Sequence, residues 1–170
     1  MTNVVSTLSG RKPSVEWETP QELFDLLHAE FGFTLDPCAT PENAKCPRYF
    51  TREQDGLAQS WAGERVFLNP PYGSEAPLWV EKAVTECRTA GALVVCLIVP
   101  RTDTRWWHEH CAHAAEIRLL KGRVRFRNPG NPADRPQDPS AVVVFDPDAP
   151  PGRPTRLTFW DWQAKAGRGR

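Results

Sequence analysis

No stretch of this 170-residue chain approaches the roughly 20 consecutive apolar residues that a membrane-spanning helix needs. The first dozen residues, Met1 to Lys12, lack the apolar centre of a secretory signal. A cytoplasmic location is therefore the expectation. No Cys-x-x-Cys pair occurs among Cys38, Cys46, Cys87, Cys96 and Cys111, whose odd number and irregular spacing fit neither a disulfide framework nor a common zinc site. Reduced thiols are the expectation. His108, His110, Cys111 and His113 lie close together, but on a helix His108/Cys111 and His110/His113 face different ways, so no metal is expected. Internal repeats are missing too, as is any evident constellation of nucleophile and general base.

Net charge is also missing: 21 basic residues balance 21 acidic ones. That alone disfavours a polyanionic partner, but the charge is unevenly distributed. Between Pro13 and Ser60 nine acidic residues face three basic ones. From Arg118 to Arg127 there are five basic residues and no acid, and from Arg153 to Arg170 five basic residues against one acid. Such asymmetry gives a neutral protein one positive face suited to a phosphate backbone. Arg123, Arg125 and Arg127 alternate, so an extended segment sets all three on one side.

What is present reads as one α/β domain of ordinary globular composition. Thr19-Pro20-Gln21-Glu22 combines an N-cap, a first-turn proline and a capping-box acid, and predicts a helix with Leu23, Leu26, Leu27 and Phe31 inward, stopping at Gly32. A short strand, Phe33 to Leu35, ends at Asp36-Pro37. Cys38 to Trp61 reads as loop with brief helix, Val66 to Leu68 as a buried strand, and Pro77 to Thr89 as an amphipathic helix. Ala92 to Val99 is a continuous apolar run, the pattern of a central parallel strand. A helix near Asp103 to Ala115 and a strand at Ile117 to Leu120 follow. Val124 to Phe126 and Ala141 to Phe145 are expected to pair as a hairpin across the Asn128–Ser140 loop. The expected divisions are a flexible tail at 1–12, a catalytic domain at 13–147, and a Pro-rich, basic extension at 148–170 with an apolar patch at Leu157, Phe159, Trp160 and Trp162.

The chemistry concentrates in Asn69-Pro70-Pro71-Tyr72, directly after a short apolar strand. In open α/β sheets, ligands bind beyond the carboxyl ends of the strands. An amino group conjugated to a heteroaromatic ring or a carbonyl is a poor nucleophile, because its lone pair is delocalised. The Asn69 side-chain oxygen and the Pro70 carbonyl are two acceptors able to hold its two N–H groups and turn the lone pair towards an electrophilic methyl. Tyr72 is placed to stack on a planar substrate, which is catalysis by positioning and electrostatics. This motif alone leaves adenine N6, cytosine N4, RNA guanine and protein glutamine open as acceptors.

The motif resembles that of amino-group methyltransferases, and further pieces resemble the phage and prophage DNA N6-adenine methyltransferase (Dam-type) family. These are Trp17-Glu18-Thr19-Pro20 with Leu23-Phe24, Phe31 to Thr40, Asn43-Ala44-Lys45-Cys46 with Tyr49-Phe50-Thr51, Asp55-Gly56-Leu57, Trp79 to Ala83, Ala115 to Arg123 and Ser140 to Phe145, in order along most of the chain. The resemblance implies a compact Rossmann-like S-adenosylmethionine-dependent methyltransferase fold, a mostly parallel sheet with a terminal antiparallel hairpin. It implies S-adenosylmethionine as cofactor, met by Trp17, Thr19, Pro20, Asp36, Pro37, Cys38, Asn43 and Asp55. Asn69, Pro70, Pro71 and Tyr72 become catalytic, acting on N6 of an adenine flipped out of double-stranded DNA. Arg123, Arg125 and Arg127 become phosphate contacts, and the expected setting is a bacterial host cytoplasm, with the enzyme a monomer or weak dimer. The loop after Asp36 departs from the family pattern in lacking its glycines, which keeps a catalytically decayed DNA-binding accessory domain as the alternative of a different class. Only 32 residues lie between Asp36 and Asn69, so a helix and part of a strand must be reduced or missing there.

Overall fold

A computed structural model describes residues 17–129, 131 and 138–167; the expected tail at 1–12 and most of the 128–140 loop lie outside the described residues. The elements are α1 (Gln21–Phe31), β1 (Leu35–Asp36), β2 (Arg48–Tyr49), β3 (Arg65–Leu68), α2 (Ala76–Ala90), β4 (Leu93–Ile98), α3 (Arg105–Glu109), a 3-10 turn (Cys111–His113), β5 (Glu116–Leu120), β6 (Ala141–Phe145), β7 (Arg156–Trp160) and α4 (Trp162–Lys165). Seven strands form one sheet in the order β2-β1-β3-β4-β6-β5-β7. β6 runs antiparallel to both its neighbours, and every other pairing is parallel.

The continuous apolar strands are explained by helices on both faces of the sheet. Val94, Cys96 and Ile98 of β4 pack on the α2 side with Trp79, Val80, Ala83 and Trp107. Leu93, Val95 and Leu97 point the other way, towards Leu23, Phe24 and Leu27 of α1. No described helix is long and apolar enough to cross a membrane.

Four expectations change. The antiparallel partners of β6 are β4 and β5, the latter in the register Ile117↔Val143 and Arg118↔Val142, and not Val124–Phe126. Val124 and Phe126 are buried against the α1 side, so their alternation is that of an extended segment lying on the core rather than of a ladder strand. The terminal hairpin is therefore absent in the form expected. Second, Thr19 does not cap α1: Pro20 occupies the cap position, with its carbonyl accepting from Leu23 and Phe24 at 3.1 and 3.2 Å. Third, the helix expected over Asp103–Ala115 is only α3 and the 3-10 turn. Fourth, β7 and the buried Trp160 and Trp162 draw residues after 148 into the sheet and core. The brief helix expected within Cys38–Trp61 is absent: between β1 and β3 there are turns and only the two-residue β2, which is how the short Asp36-to-Asn69 spacing is met.

Candidate active site

The parallel neighbours β1, β3 and β4 release their chains at the same edge of the sheet, so Asp36, Asn69 and Pro100-Arg101 come out side by side. Three adjoining clefts lie there. The first, about 400 Å³, is lined by Trp17, Glu18, Thr19, Asp36, Cys38, Asn43, Lys45, Phe67, Asn69, Pro70 and Pro71. The second, about 430 Å³, shares Cys38 and Pro71 with it and adds Pro37, Phe50, Thr51, Asp55, Gly56 and Trp79. The third, about 850 Å³, shares Pro70 and adds Tyr72, Gly73, Ile98, Arg101, Thr104, Trp106 and Asp138. Asn69-Pro70-Pro71-Tyr72 thus forms the wall common to all three.

The Asn69 side chain is held in one orientation. Its Nδ2 donates to the Trp17 carbonyl at 2.7 Å and to the Thr19 hydroxyl at 3.1 Å. A backbone carbonyl only accepts, so the amide nitrogen must face it, which leaves Oδ1 on the other side. Oδ1 is buried and has no hydrogen-bond partner among the described residues. Buried acceptors are rarely left so, because an unmade hydrogen bond costs about 1–3 kcal/mol. The segment that clamps Asn69 is itself tied down: Glu18 and Arg127 exchange both backbone hydrogen bonds, at 2.8 and 3.1 Å.

Asp36 is 4% exposed and accepts from the backbone N–H of Lys45 at 3.0 Å and of Cys38 at 3.4 Å, so it shapes the loop that walls the first cleft. Burial pushes its carboxyl up to about 6, against the opposing pull of those hydrogen bonds and of the Lys45 charge. Asn43 closes the same loop, its Oδ1 accepting from Thr40 N at 2.7 Å. Asp55 is exposed, has a left-handed backbone (φ 52°), and accepts from Leu57 N at 3.2 Å. The next residue must be glycine: a Cβ at Gly56 would sit 2.0 Å from the Pro37 carbonyl oxygen. In the second cleft the buried Trp79 Nε1 has no hydrogen-bond partner among the described residues.

Tyr72 lies tilted by 35° against Trp17, with centroids 6.3 Å apart, and meets Phe126 edge-on at 5.7 Å. Burial, helped by the Asp138 charge, raises its phenol well above the ordinary value, so it stays protonated. Arg123, Arg125 and Arg127 are exposed while Val124 and Phe126 between them are buried, so the arginines form a ridge beside Tyr72. The neighbouring cations are spent on structure. Arg118 is buried against Glu30 and Glu116 (2.5–3.0 Å), and Lys121 pairs with Asp161 at 2.6 Å.

Most of the residues expected at the site are brought together. Pro20, which caps α1, lines none of the three clefts, and neither do Arg123, Arg125 and Arg127 on their ridge. Lys45, Phe50, Trp79 and Arg101 were not foreseen there. Lys45, Phe50 and Trp79 stood in recognisable segments, but nothing in the sequence distinguished a cleft wall from packing. Cys111 of the histidine cluster is buried while His108 and His113 are exposed, and no group of metal-binding side chains is found among the described residues.

Residues 9–156 match the family model for DNA N-6-adenine-methyltransferase (Dam). The chain belongs to that family. It is 32% identical over 141 residues to the DNA N-6-adenine-methyltransferase of Haemophilus phage HP1 (strain HP1c1), covering 80% of this chain and 81% of that protein. To the DNA N-6-adenine-methyltransferase of Escherichia phage T1 it is 32% identical over 117 residues, 68% of this chain and 48% of that longer protein. The expected activity, methyl transfer to N6 of adenine in DNA, is thereby borne out, and the methyltransferase requires a methyl donor and a DNA substrate.

Proposed function

We propose that Asn69 Oδ1 and the Pro70 carbonyl accept the two N–H groups of an adenine amino group, with S-adenosylmethionine as the donor. The observation that carries this reading is the buried, unpartnered Oδ1, held in place by a clamp that can only grip the amide nitrogen. Holding both N–H groups draws the nitrogen out of conjugation and fixes where its lone pair points. Oriented acceptors in a partly dry site need no reorganisation at the moment of reaction. Tyr72, kept neutral, offers its ring face to the base in the third cleft.

The donor set supports S-adenosylmethionine across the first two clefts. The first offers the buried Asp36 carboxylate and the Trp17 indole, and the amino end of α1, where a carboxylate is favoured, begins one residue beyond Thr19, after the cap Pro20. The second offers the unpartnered Trp79 Nε1, Asp55 and the Phe50 ring, a setting suited to a nucleoside. Bound there, the cofactor supplies an electrophilic methyl group on a sulfonium. Arg123, Arg125 and Arg127 take phosphates of the duplex flanking the extruded base. Residues 13–147 carry the site, in a Rossmann-like variant of the α/β sheet that β7 extends, and the bacterial host cytoplasm holds the DNA it acts on.

The test is to incubate the protein with methyl-labelled S-adenosylmethionine and unmethylated duplex DNA, then digest and identify the labelled nucleoside. N6-methyladenine is expected. Label on cytosine, or donor binding without transfer to DNA, would contradict the assignment.

A further inference from the structure

β7 is the outer strand of the sheet, and among the described residues no strand lies beyond it. Its burial is inverted for an edge. Phe159 is 81% exposed and Leu157 57%, the two most exposed of the large apolar side chains described. Both stand on the α2 side of the sheet, in register with Ile117 and Leu119 of β5. Natural sheets protect their edges with charge, proline or bulges; here the middle of the edge strand carries none of these.

The backbone makes this edge specific. Arg156 N donates to Ala115 O at 3.1 Å, and Lys121 N donates to Trp160 O at 2.9 Å. In a parallel ladder a residue turns its N–H and C=O to the same side, and sides alternate along the strand. Arg156, Thr158 and Trp160 therefore face β5, and Leu157 and Phe159 present their N–H and C=O groups outward. We infer that β7 pairs antiparallel with β7 of a second copy of this chain about a two-fold axis at Thr158. Outward groups pair only with outward groups, so a two-fold through Thr158 sets Leu157 against Phe159 of the second copy, twice. Each of these is a hydrogen-bonded pair and also an apolar cross-strand contact, and the surface is self-complementary, as an isologous interface must be. Charge agrees with the same direction. Arg156, 66% exposed at its side chain and 3.9 Å from Glu116 of its own chain, lies at one end of the strand, and Asp161, paired with Lys121, follows the other end. Antiparallel pairing brings each Arg156 to the Asp161 end of the other copy, whereas parallel pairing would stack Arg156 on Arg156. The edge is remote in the sheet order from β1 and β3, which carry Asp36 and Asn69, so both active sites stay open.

Sedimentation of the full chain over a range of concentrations tests the pairing, with a species of twice the 19.2 kDa chain mass expected at high concentration. Phe159→Lys and Phe159→Pro should both shift it to monomer with the melting temperature kept, because the Phe159 N–H serves only the outer side. Thr158→Cys should cross-link as a dimer under mild oxidation: a non-hydrogen-bonded pair sets the two Cα atoms about 4.5 Å apart, within disulfide reach. Arg156→Cys should not, since its two copies lie at opposite ends of the joint. A wild-type chain that is monomeric at every concentration would overturn the inference. So would a dimer that survives both Phe159 substitutions, or one in which Thr158→Cys fails to cross-link.

Discussion

Thr19→Val isolates the clamp on Asn69. Valine keeps the shape of threonine and so the wall of the first cleft, but removes the hydroxyl that receives Asn69 Nδ2 at 3.1 Å. The 2.7 Å bond to the Trp17 carbonyl remains, so the amide is loosened rather than released. A neutral hydrogen bond contributes a net of about 1 kcal/mol, and the N–H it leaves in a half-buried site adds up to about another. If that energy fixes Oδ1 for the reacting amino group, the single-turnover rate of methyl transfer should fall roughly 5- to 30-fold. DNA and donor affinities, measured separately by titration, should each change less than about twofold, because the buried Thr19 hydroxyl is taken up by Asn69. Thr19→Ser should restore most of the rate. A Thr19→Val enzyme transferring methyl at the wild-type rate would refute the reasoning. A loss confined to donor affinity would instead make Thr19 a cofactor contact.

Asp36→Asn should flatten the pH dependence of stability. The folded-state value of about 6 lies above the 3.8 of an unperturbed aspartate, so the folded chain holds that proton more tightly. The contribution is full below pH 4 and is lost as pH rises through about 6, a decline on the order of 3 kcal/mol that denaturant melts between pH 4 and 7.5 should register in wild type and not in the variant. Replacing Arg123, Arg125 and Arg127 with alanine should weaken DNA binding across sequences alike. Each arginine–phosphate pair removed should reduce the salt slope of log affinity by about one, with donor affinity unchanged; an unaltered slope would remove the ridge from the DNA interface.

Legibility in the sequence followed the range of the forces involved. α1, α2, β4 and β6 announced themselves because their apolar periodicity is local, and Asn69-Pro70-Pro71-Tyr72 because a strand led into it. Alternation misled at Val124–Phe126: burial of every second residue is the same for a ladder strand and for an extended segment on the core, and only a distant backbone partner separates them. Thr19 read as an N-cap since nothing local reveals that an asparagine 50 residues away takes its hydroxyl. Arg118 and Lys121 looked like part of the basic face until Glu30, Glu116 and Asp161 came beside them through folding. β7 was hidden by its proline-rich approach and by apolar side chains that point away from the core.

Everything proposed for the chemistry turns on Asn69 Oδ1 as the acceptor of the reacting amino group. Asn69→Ala, assayed for labelled N6-methyladenine in single turnover beside independent titrations of donor and DNA, tests it most directly. Loss of the transfer rate by about 10²–10³, the scale seen when one oriented polar group is removed from a reacting centre, with both ligands still bound, is the predicted result. An Asn69→Ala enzyme that makes N6-methyladenine within a few-fold of the wild-type rate would contradict it.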